Sequence, residues 1–231
     1  MSEGGRAEPA LIEALAAGVA HEVRNPLNSL QINLTILEQE LVELLPDRQA
    51  HAFALLAKIT GEIKRLDDFV SEFLRFARAP RLCVEHLPIR SLLTDLSAFI
   101  APECSQKGVT LSLEPGGPER AWVDGFQLKQ AVLNLVLNAL QATSAGGRVV
   151  IRTGGDAERF TVAVRDDGEG MPAEVRERAF EPFFTTREAG TGLGLPIVRR
   201  VVEQHGGSVE IASAPGEGTT VTLVFPARGG E

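Results

Sequence analysis

Cysteine is scarce. The chain has two, Cys83 and Cys104, in no paired motif, which argues against a disulfide framework and fits a reducing compartment. Cys83 and His86 have the spacing of half a zinc site, but no second pair completes it. Positive charge is also in short supply: 23 basic against 31 acidic residues leave a formal charge of -8. That field repels phosphate backbones, so nucleic acid is not an expected partner. No apolar run reaches the ~20 residues that a helix needs to cross a bilayer. The start, "MSEGGRAEPALIEAL", lacks the basic-then-apolar pattern of a secretory signal. The expectation is a cytoplasmic, soluble chain with no membrane contact by this segment. Its 231 residues are enough for two modest domains.

Glycine is nearly missing from one half. Residues 9–79 contain Gly18 and Gly61 only, whereas residues 108–230 hold most of the 23 glycines. The poor half is helical by periodicity. Ile12, Leu15, Val19, Val23, Leu27, Leu30, Leu34, Leu37, Leu41 and Leu44 recur at intervals of three and four. Pro46-Asp47 breaks that stripe. A second runs through Leu56, Ile59, Ile63, Leu66, Val70, Phe73 and Ala77, and Ala79-Pro80 stops it. Two long helices joined by a turn at Leu45 to Gln49 make an antiparallel hairpin. A hairpin covers such stripes poorly by itself, so a homodimer with a four-helix bundle is expected.

Within the first stripe lies "HEVRNPLN". His21 is two residues from both Val19 and Val23, which turns it about 200° from them, towards solvent. Asn25 follows four residues later on the same side. A lone exposed histidine is usually part of a solvated face. Here Pro26 follows directly, clashing with the carbonyl of residue 22 at about 3 kcal/mol in a helix interior. Such costs collect at functional sites.

The glycine-rich half reads as strands and helices. Ile89 to Lys107 is an amphipathic helix, "VTLSLEP" and "AWVD" are strands, and Gly125 opens a helix that stops at Gly146-Gly147. "RVVIRT" and "RFTVAVRDD" are strands around a glycine break. "LPIVRRVVEQHGG" is a helix, and "SVEIAS" with "GTTVTLVF" forms a closing hairpin. One sheet with helices on one face, an α/β sandwich, is expected.

Four clusters in this half carry chemistry. "NLVLNA" places Asn134 and Asn138 on one helix face. Asparagine is a poor helix former, and its amide oxygen suits a hard cation. "RDDGEGMP" puts Asp166 at a strand end before glycines that let a ligand approach the backbone. Its carboxylate could accept from an exocyclic amino group. By itself this would be an acidic turn. "FEPFFTTR" packs three phenylalanines into five residues around Pro182, either a core segment or a loop whose aromatics need something to pack on. "GTGLGL" runs into a helix, where backbone N–H groups cradle phosphates. It is neither a Rossmann fingerprint nor a P-loop, since no acidic residue follows at the usual offset and no GK[ST] follows.

With these motifs laid out, residues from about Pro9 to Pro226 resemble the catalytic core of a sensor histidine kinase of the two-component systems. "HEVRNPLN" is similar to the phosphoacceptor box. "NLVLNA", "DDGEG", "FEPFFTT" and "GTGLGL" are similar to the asparagine, first-glycine, phenylalanine and second-glycine boxes, in order. "PGEGTTVTLVFP" is similar to the last glycine box. The resemblance implies a multi-domain alpha and alpha+beta protein. Residues 9–80 would be a helical hairpin forming a dimeric four-helix bundle, and residues 86–228 an α/β-sandwich ATP-binding domain.

The resemblance also implies roles. His21 would take the γ-phosphoryl group of ATP, with Glu22 as general base, Asn25 orienting the reacting groups and Pro26 as a flexible bend. Asn138 would hold Mg2+, with Asn134 and Lys129 near the phosphates. Asp166 would accept from the adenine amino group in a pocket shaped by Gly168 and Gly170 and lined by Thr219. Gly190, Thr191, Gly192, Leu193 and Gly194 would form the lid over the triphosphate. Arg187 stands where the family often has lysine, and keeps the charge. An aspartate on a response regulator receiver domain would be the onward acceptor. Two other readings stay open. One is an ATPase of the same nucleotide-binding fold, which Asn134 opposes because the ATP-hydrolysing relatives have glutamate there. The other is a phosphotransfer or binding module without kinase activity.

Overall fold

The computed structural model describes residues 23, 27–37, 39, 41, 46–77, 81–187 and 190–227. The chain divides into two compact units, Met1–Pro80 and Arg81–Glu231.

The described residues of the first unit are helical, with α1 described over residues 27–37 and α2 spanning Pro46–Ala77. Pro46, expected to break the chain into a turn, instead opens α2. Proline is tolerated in a first helical turn because its missing N–H would have no intrahelical acceptor there. Leu27, Leu56, Ile63 and Val70 are buried, but Leu30, Leu37, Ile59 and Leu66 are each 44–50% exposed. One chain therefore covers only part of its apolar stripes. No helix among the described residues is long and apolar enough to cross a membrane.

The second unit runs β1 (Glu85–Pro88), α3 (Ile89–Lys107), β2 (Thr110–Glu114), β3 (Arg120–Val123), α4 (Gly125–Ala142), β4 (Arg148–Gly155), β5 (Arg159–Asp166), α5 (Ala173–Arg178), α6 (Gly194–Gln204), β6 (Ser208–Ser213) and β7 (Thr219–Pro226). Five strands form one sheet in the order β2-β4-β5-β7-β6. β2 and β4 are parallel, and the other neighbours are antiparallel. Alternation sends one side chain of each pair inward. Val149 and Ile151, then Phe160, Val162 and Val164, then Val221, Leu223 and Phe225 are buried. They meet the apolar stripes of α4, through Leu128, Val132, Leu135 and Val136, and of α6, through Ile197, Val198, Val201 and Val202. This is the expected α/β sandwich.

The expectation of one sheet needs correction. β3 does not join the five strands but pairs antiparallel with β1 in a separate ribbon. β1 is four residues, "EHLP", with no buried side chain, so it shows no period of two to read. α5 likewise buries nothing and was not expected.

Both ends of α4 are pinned. The Asp124 carboxylate caps its first turn, accepting from the N–H groups of Phe126 and Gln127. The same carboxylate accepts from Cys83 N–H at 3.0 Å. The Asp124 N–H donates to His205 Nε2 at 2.9 Å, while His205 Nδ1 meets the Val201 carbonyl at 2.7 Å. Those partners select the neutral tautomer protonated on Nδ1. At the other end, Lys107 Nζ donates to the carbonyls of Leu140 and Gln141 at 2.6 and 3.2 Å. These are among the carbonyls that a helix end leaves without intrahelical partners. A helix pinned at both ends holds Asn134 and Asn138 in place.

Candidate functional site

One end of the site is built where β5 stops. Asp166 is 6% exposed and stands opposite Thr219 across the β5–β7 pair. Its Oδ1 accepts from Gly168 N–H at 3.0 Å and Thr219 N–H at 3.1 Å. Among the described residues nothing bonds Oδ2. Burial pushes the carboxyl above its ordinary value of 3.8. The two backbone N–H groups oppose that rise, the charge of Asp167 adds to it, and Arg187 opposes it least.

The loop after Asp166 is tied on both sides. Glu169 N–H donates to the Ala142 carbonyl at 3.2 Å, and the Glu169 carbonyl accepts from Gly216 N–H at 2.7 Å. The 168–171 loop is therefore hydrogen-bonded both to the end of α4 and to the turn before β7. A Cβ on Gly168 would stand 2.5 Å from the Ala142 carbonyl oxygen. Gly170 has φ +65° and lies directly against the Ala214 carbonyl, leaving no room for a side chain. Gly170→Ala is expected to destabilise this unit by about 2 kcal/mol or more, from left-handed strain plus overpacking. A lower urea midpoint at unchanged slope checks this.

The other end of the site surrounds the face of α4 that carries Asn134 and Asn138, both half-buried. Asn134 Nδ2 approaches the Gly194 carbonyl at 3.4 Å, joining α4 to the start of α6. Arg187 donates from Nη1 to Gln141 Oε1 at 2.7 Å and from Nη2 to the Asn138 carbonyl at 3.2 Å. Its guanidinium is thereby fixed beside Asn138. Gly190 N–H returns to the Arg187 carbonyl at 3.2 Å, and Leu193 N–H bonds Thr191 Oγ1 at 3.2 Å. Gly192, at φ +69°, sits against the backbone of Phe183 and accepts from Phe183 N–H at 3.0 Å. Phe183 itself has φ +64°, a conformation that costs a bulky residue energy.

The three phenylalanines divide their tasks. Phe180 is buried with the Arg199 guanidinium 4.4 Å from its ring centroid, and Phe184 is half-buried with that of Arg178 at 4.1 Å. Phe183 is 53% exposed. The segment is thus neither wholly core nor a free loop. The Leu193 side chain is fully buried, and the residue stands at the N-cap of α6.

The structure brings together Asp166, Gly168, Gly170 and Thr219 at one end, and Asn134, Asn138, Arg187, Gly192 and Gly194 at the other. Lys129 is half-buried on α4 without a hydrogen bond to any of these. His21, Glu22 and Asn25 lie outside the described residues. Sequence reasoning missed Gln141 and Ser213. Gln141 is three residues after Asn138, hence on the same helix face, and could have been found. Ser213 reaches the site only through the β6–β7 register, which has no linear signature.

A divalent cation fits here in one way. Among the described residues no group of three His, Cys, Asp or Glu side chains could hold a metal, and α4 contains no carboxylate. The Asn138 amide has no hydrogen-bond partner among the described residues. A lone amide oxygen matches the habit of Mg2+, which takes few protein ligands and completes its shell with phosphate oxygens and water.

Residues 11–81 match the His Kinase A (phospho-acceptor) domain, and residues 123–229 match the Histidine kinase-, DNA gyrase B-, and HSP90-like ATPase. The sensor histidine kinase ZraS of Klebsiella oxytoca is 38% identical over 93% of this chain and 46% of its own length. The chain spans between 29% and 49% of the length of the curated relatives it matches. Full-length ShkA, solved in complex with AMPPNP, is 28% identical with a TM-score of 0.76, over 94% of this chain and 47% of that one. The histidine kinase ThkA, solved in complex with the response regulator protein TrrA, is 26% identical with a TM-score of 0.69, over 96% and 64%. A phospho-acceptor segment followed by this ATPase fold, with both segments matched in order, makes the chain a member of the sensor histidine kinase family, covering its catalytic core.

Proposed function

We propose that the chain is an ATP-dependent protein-histidine kinase core that phosphorylates itself on His21 and passes the phosphoryl group to an aspartate of a response regulator. Residues 9–80 serve as the phosphoacceptor and dimerisation hairpin, and residues 86–228 bind ATP. The observation that carries this reading is the buried Asp166 carboxylate. Its Oδ1 is saturated by Gly168 and Thr219, and its Oδ2 is left to accept from a base.

Asp166 binds and orients the adenine amino group. Gly168 and Gly170 let the base lie against backbone, and Thr219 lines its edge. Arg187, held on Gln141 and the Asn138 carbonyl, grips phosphate, as do the backbone N–H groups of Gly192 and Gly194 at the start of α6, and Lys129 adds a further positive charge on α4. Asn138 would hold Mg2+, which would supply neutralising charge for the phosphate oxygens. Asn134 has no basicity with which to activate water, so ATP is kept for transfer instead of hydrolysis. At the acceptor, Glu22 takes the imidazole proton as a ring nitrogen of His21 bonds to the γ-phosphorus. The bond to the bridging oxygen breaks, and ADP leaves with the electron pair. Asn25 orients these groups.

Incubation with γ-labelled ATP and magnesium tests the reading. Label that is retained on the chain, acid-labile and alkali-stable is the expected result. Stable binding of ATP with no transfer would instead favour a binding module. Rapid phosphate release with no protein label would favour an ATPase.

The half-covered stripes support a homodimer. Leu30, Leu37, Ile59 and Leu66 are 44–50% exposed in one chain, apolar surface that a second copy would cover. Leu30→Asp combined with Leu66→Asp is expected to convert a dimer to a monomer in sedimentation velocity. An unchanged sedimentation coefficient would place the dimer contact elsewhere.

A further inference from the structure

Ser213 closes β6 opposite Thr219. Its Oγ lies 2.8 Å from the Met171 nitrogen, 3.0 Å from the Gly218 carbonyl oxygen and 2.9 Å from Thr219 Oγ1. An N–H can only donate and a carbonyl can only accept. A serine hydroxyl has one proton and two acceptor sites. Ser213 therefore gives its proton to Gly218, accepts from Met171 and has one lone pair left for the Thr219 hydroxyl. Any other assignment leaves one of the three contacts without a hydrogen.

That accounting commits the Thr219 proton to Ser213. Thr219 Oγ1 then offers only lone pairs to a ligand. The Thr219 N–H is already spent on Asp166 Oδ1, and Asp166 Oδ2, when ionised, is an acceptor too. The paired position Asp166–Thr219 thus presents two acceptors and no donor. An exocyclic amino group satisfies such an edge. A 6-oxo group turns lone pairs towards lone pairs, at the cost of burying unmatched polar atoms.

We propose that Ser213 is a positioning residue whose hydroxyl fixes the hydrogen-bond polarity of the base pocket, and so its preference for a 6-amino over a 6-oxo purine. This rests on the nucleotide-binding reading of the site. Without Ser213 Oγ, the Thr219 hydroxyl is free to rotate and donate to a 6-oxo group.

Dissociation constants of ATP and ITP, measured by calorimetry, test it. The wild type is expected to bind ITP at least ~10-fold more weakly than ATP. In Ser213→Ala the ITP/ATP ratio is expected to fall by about 5- to 10-fold, and Ser213→Thr, which keeps the hydroxyl, is expected to restore it. Equal weakening towards both nucleotides overturns the proposal, because a purely structural serine would act in that way. If Ser213→Ala fails to fold by thermal unfolding, Thr219→Val decides: it deletes one of the two acceptors, and an unchanged ratio there overturns the proposal. A wild type that binds neither nucleotide overturns the nucleotide reading itself, and this inference with it.

Discussion

His21→Gln is expected to abolish incorporation of the γ-phosphoryl group while leaving ATP affinity within about twofold of the wild type. Glutamine is polar and helix-compatible, so the helix should tolerate it on the solvent-facing side that the Val19–Val23 spacing assigns to this residue. What it lacks is a nucleophilic ring nitrogen. Its amide nitrogen has a delocalised lone pair, and Glu22 next to it has no proton worth taking. The loss should therefore be complete and not a fixed fraction. Nucleotide affinity should survive because Asp166, Asn138, Arg187 and Thr219 all belong to the second compact unit. Two measurements on the same preparation separate the outcomes. Retained binding without label assigns the acceptor to His21. Label that persists in the variant sends the acceptor elsewhere, and neither His51, His86 nor His205 sits in a comparable motif. His205 in particular is buried with both ring nitrogens engaged.

Asp166→Asn is expected to weaken ATP binding by roughly 10- to 100-fold without unfolding the protein, the range for losing a hydrogen bond to a charged group. The substitution is informative because the two carboxylate oxygens have different duties. Oδ1 must stay an acceptor, since both Gly168 and Thr219 donate to it. The asparagine amide will therefore turn its oxygen to those two N–H groups and its NH2 to the base. The pocket then opposes a donor to the adenine amino group. Stability should hold or rise, because a carboxylate that burial disfavours has been removed.

The same burial gives the wild type a pH signature. The folded Asp166 pKa lies above 3.8, and the ionised form is the one that accepts from the base. Affinity should fall as pH is lowered through that raised value, and Asp166→Asn should flatten the dependence. Unliganded stability runs the other way. The contribution of this group is fully present below its unfolded value and is lost as pH rises through the folded one. Titrations of nucleotide affinity and of urea midpoint against pH, in both proteins, check the two opposite trends.

Much of the second unit was legible because its elements have strong periods. Ile89–Lys107 repeats its apolar residues at helical spacing, and the alternation in "RFTVAV" leaves Phe160, Val162 and Val164 on one face. β1 and α5 were not legible. Both are short and bury no side chain, so no apolar period marks them, and β1 exists because β3 supplies its hydrogen-bond partners. The phenylalanine cluster gave composition without geometry. Which ring is buried, stacked or exposed depends on where Arg178, Arg199 and Gly192 stand.

The residue types at the site were determined by the linear chain: asparagines one turn apart on α4, an aspartate ending a strand before glycines, and glycines leading into α6. These are local patterns, and local backbone geometry is enough to make them. What the tertiary structure alone decided is which atom of each residue is free. Asp166 keeps Oδ2 because Thr219, 53 positions later, takes Oδ1 across a β pair. Arg187 faces Asn138 because Gln141 holds it. Ser213 reaches the Thr219 hydroxyl because a hairpin register sets the two residues opposite each other. Hydrogen bonds saturate specific donors and acceptors, so the partners that chain folding supplies determine what remains for a ligand.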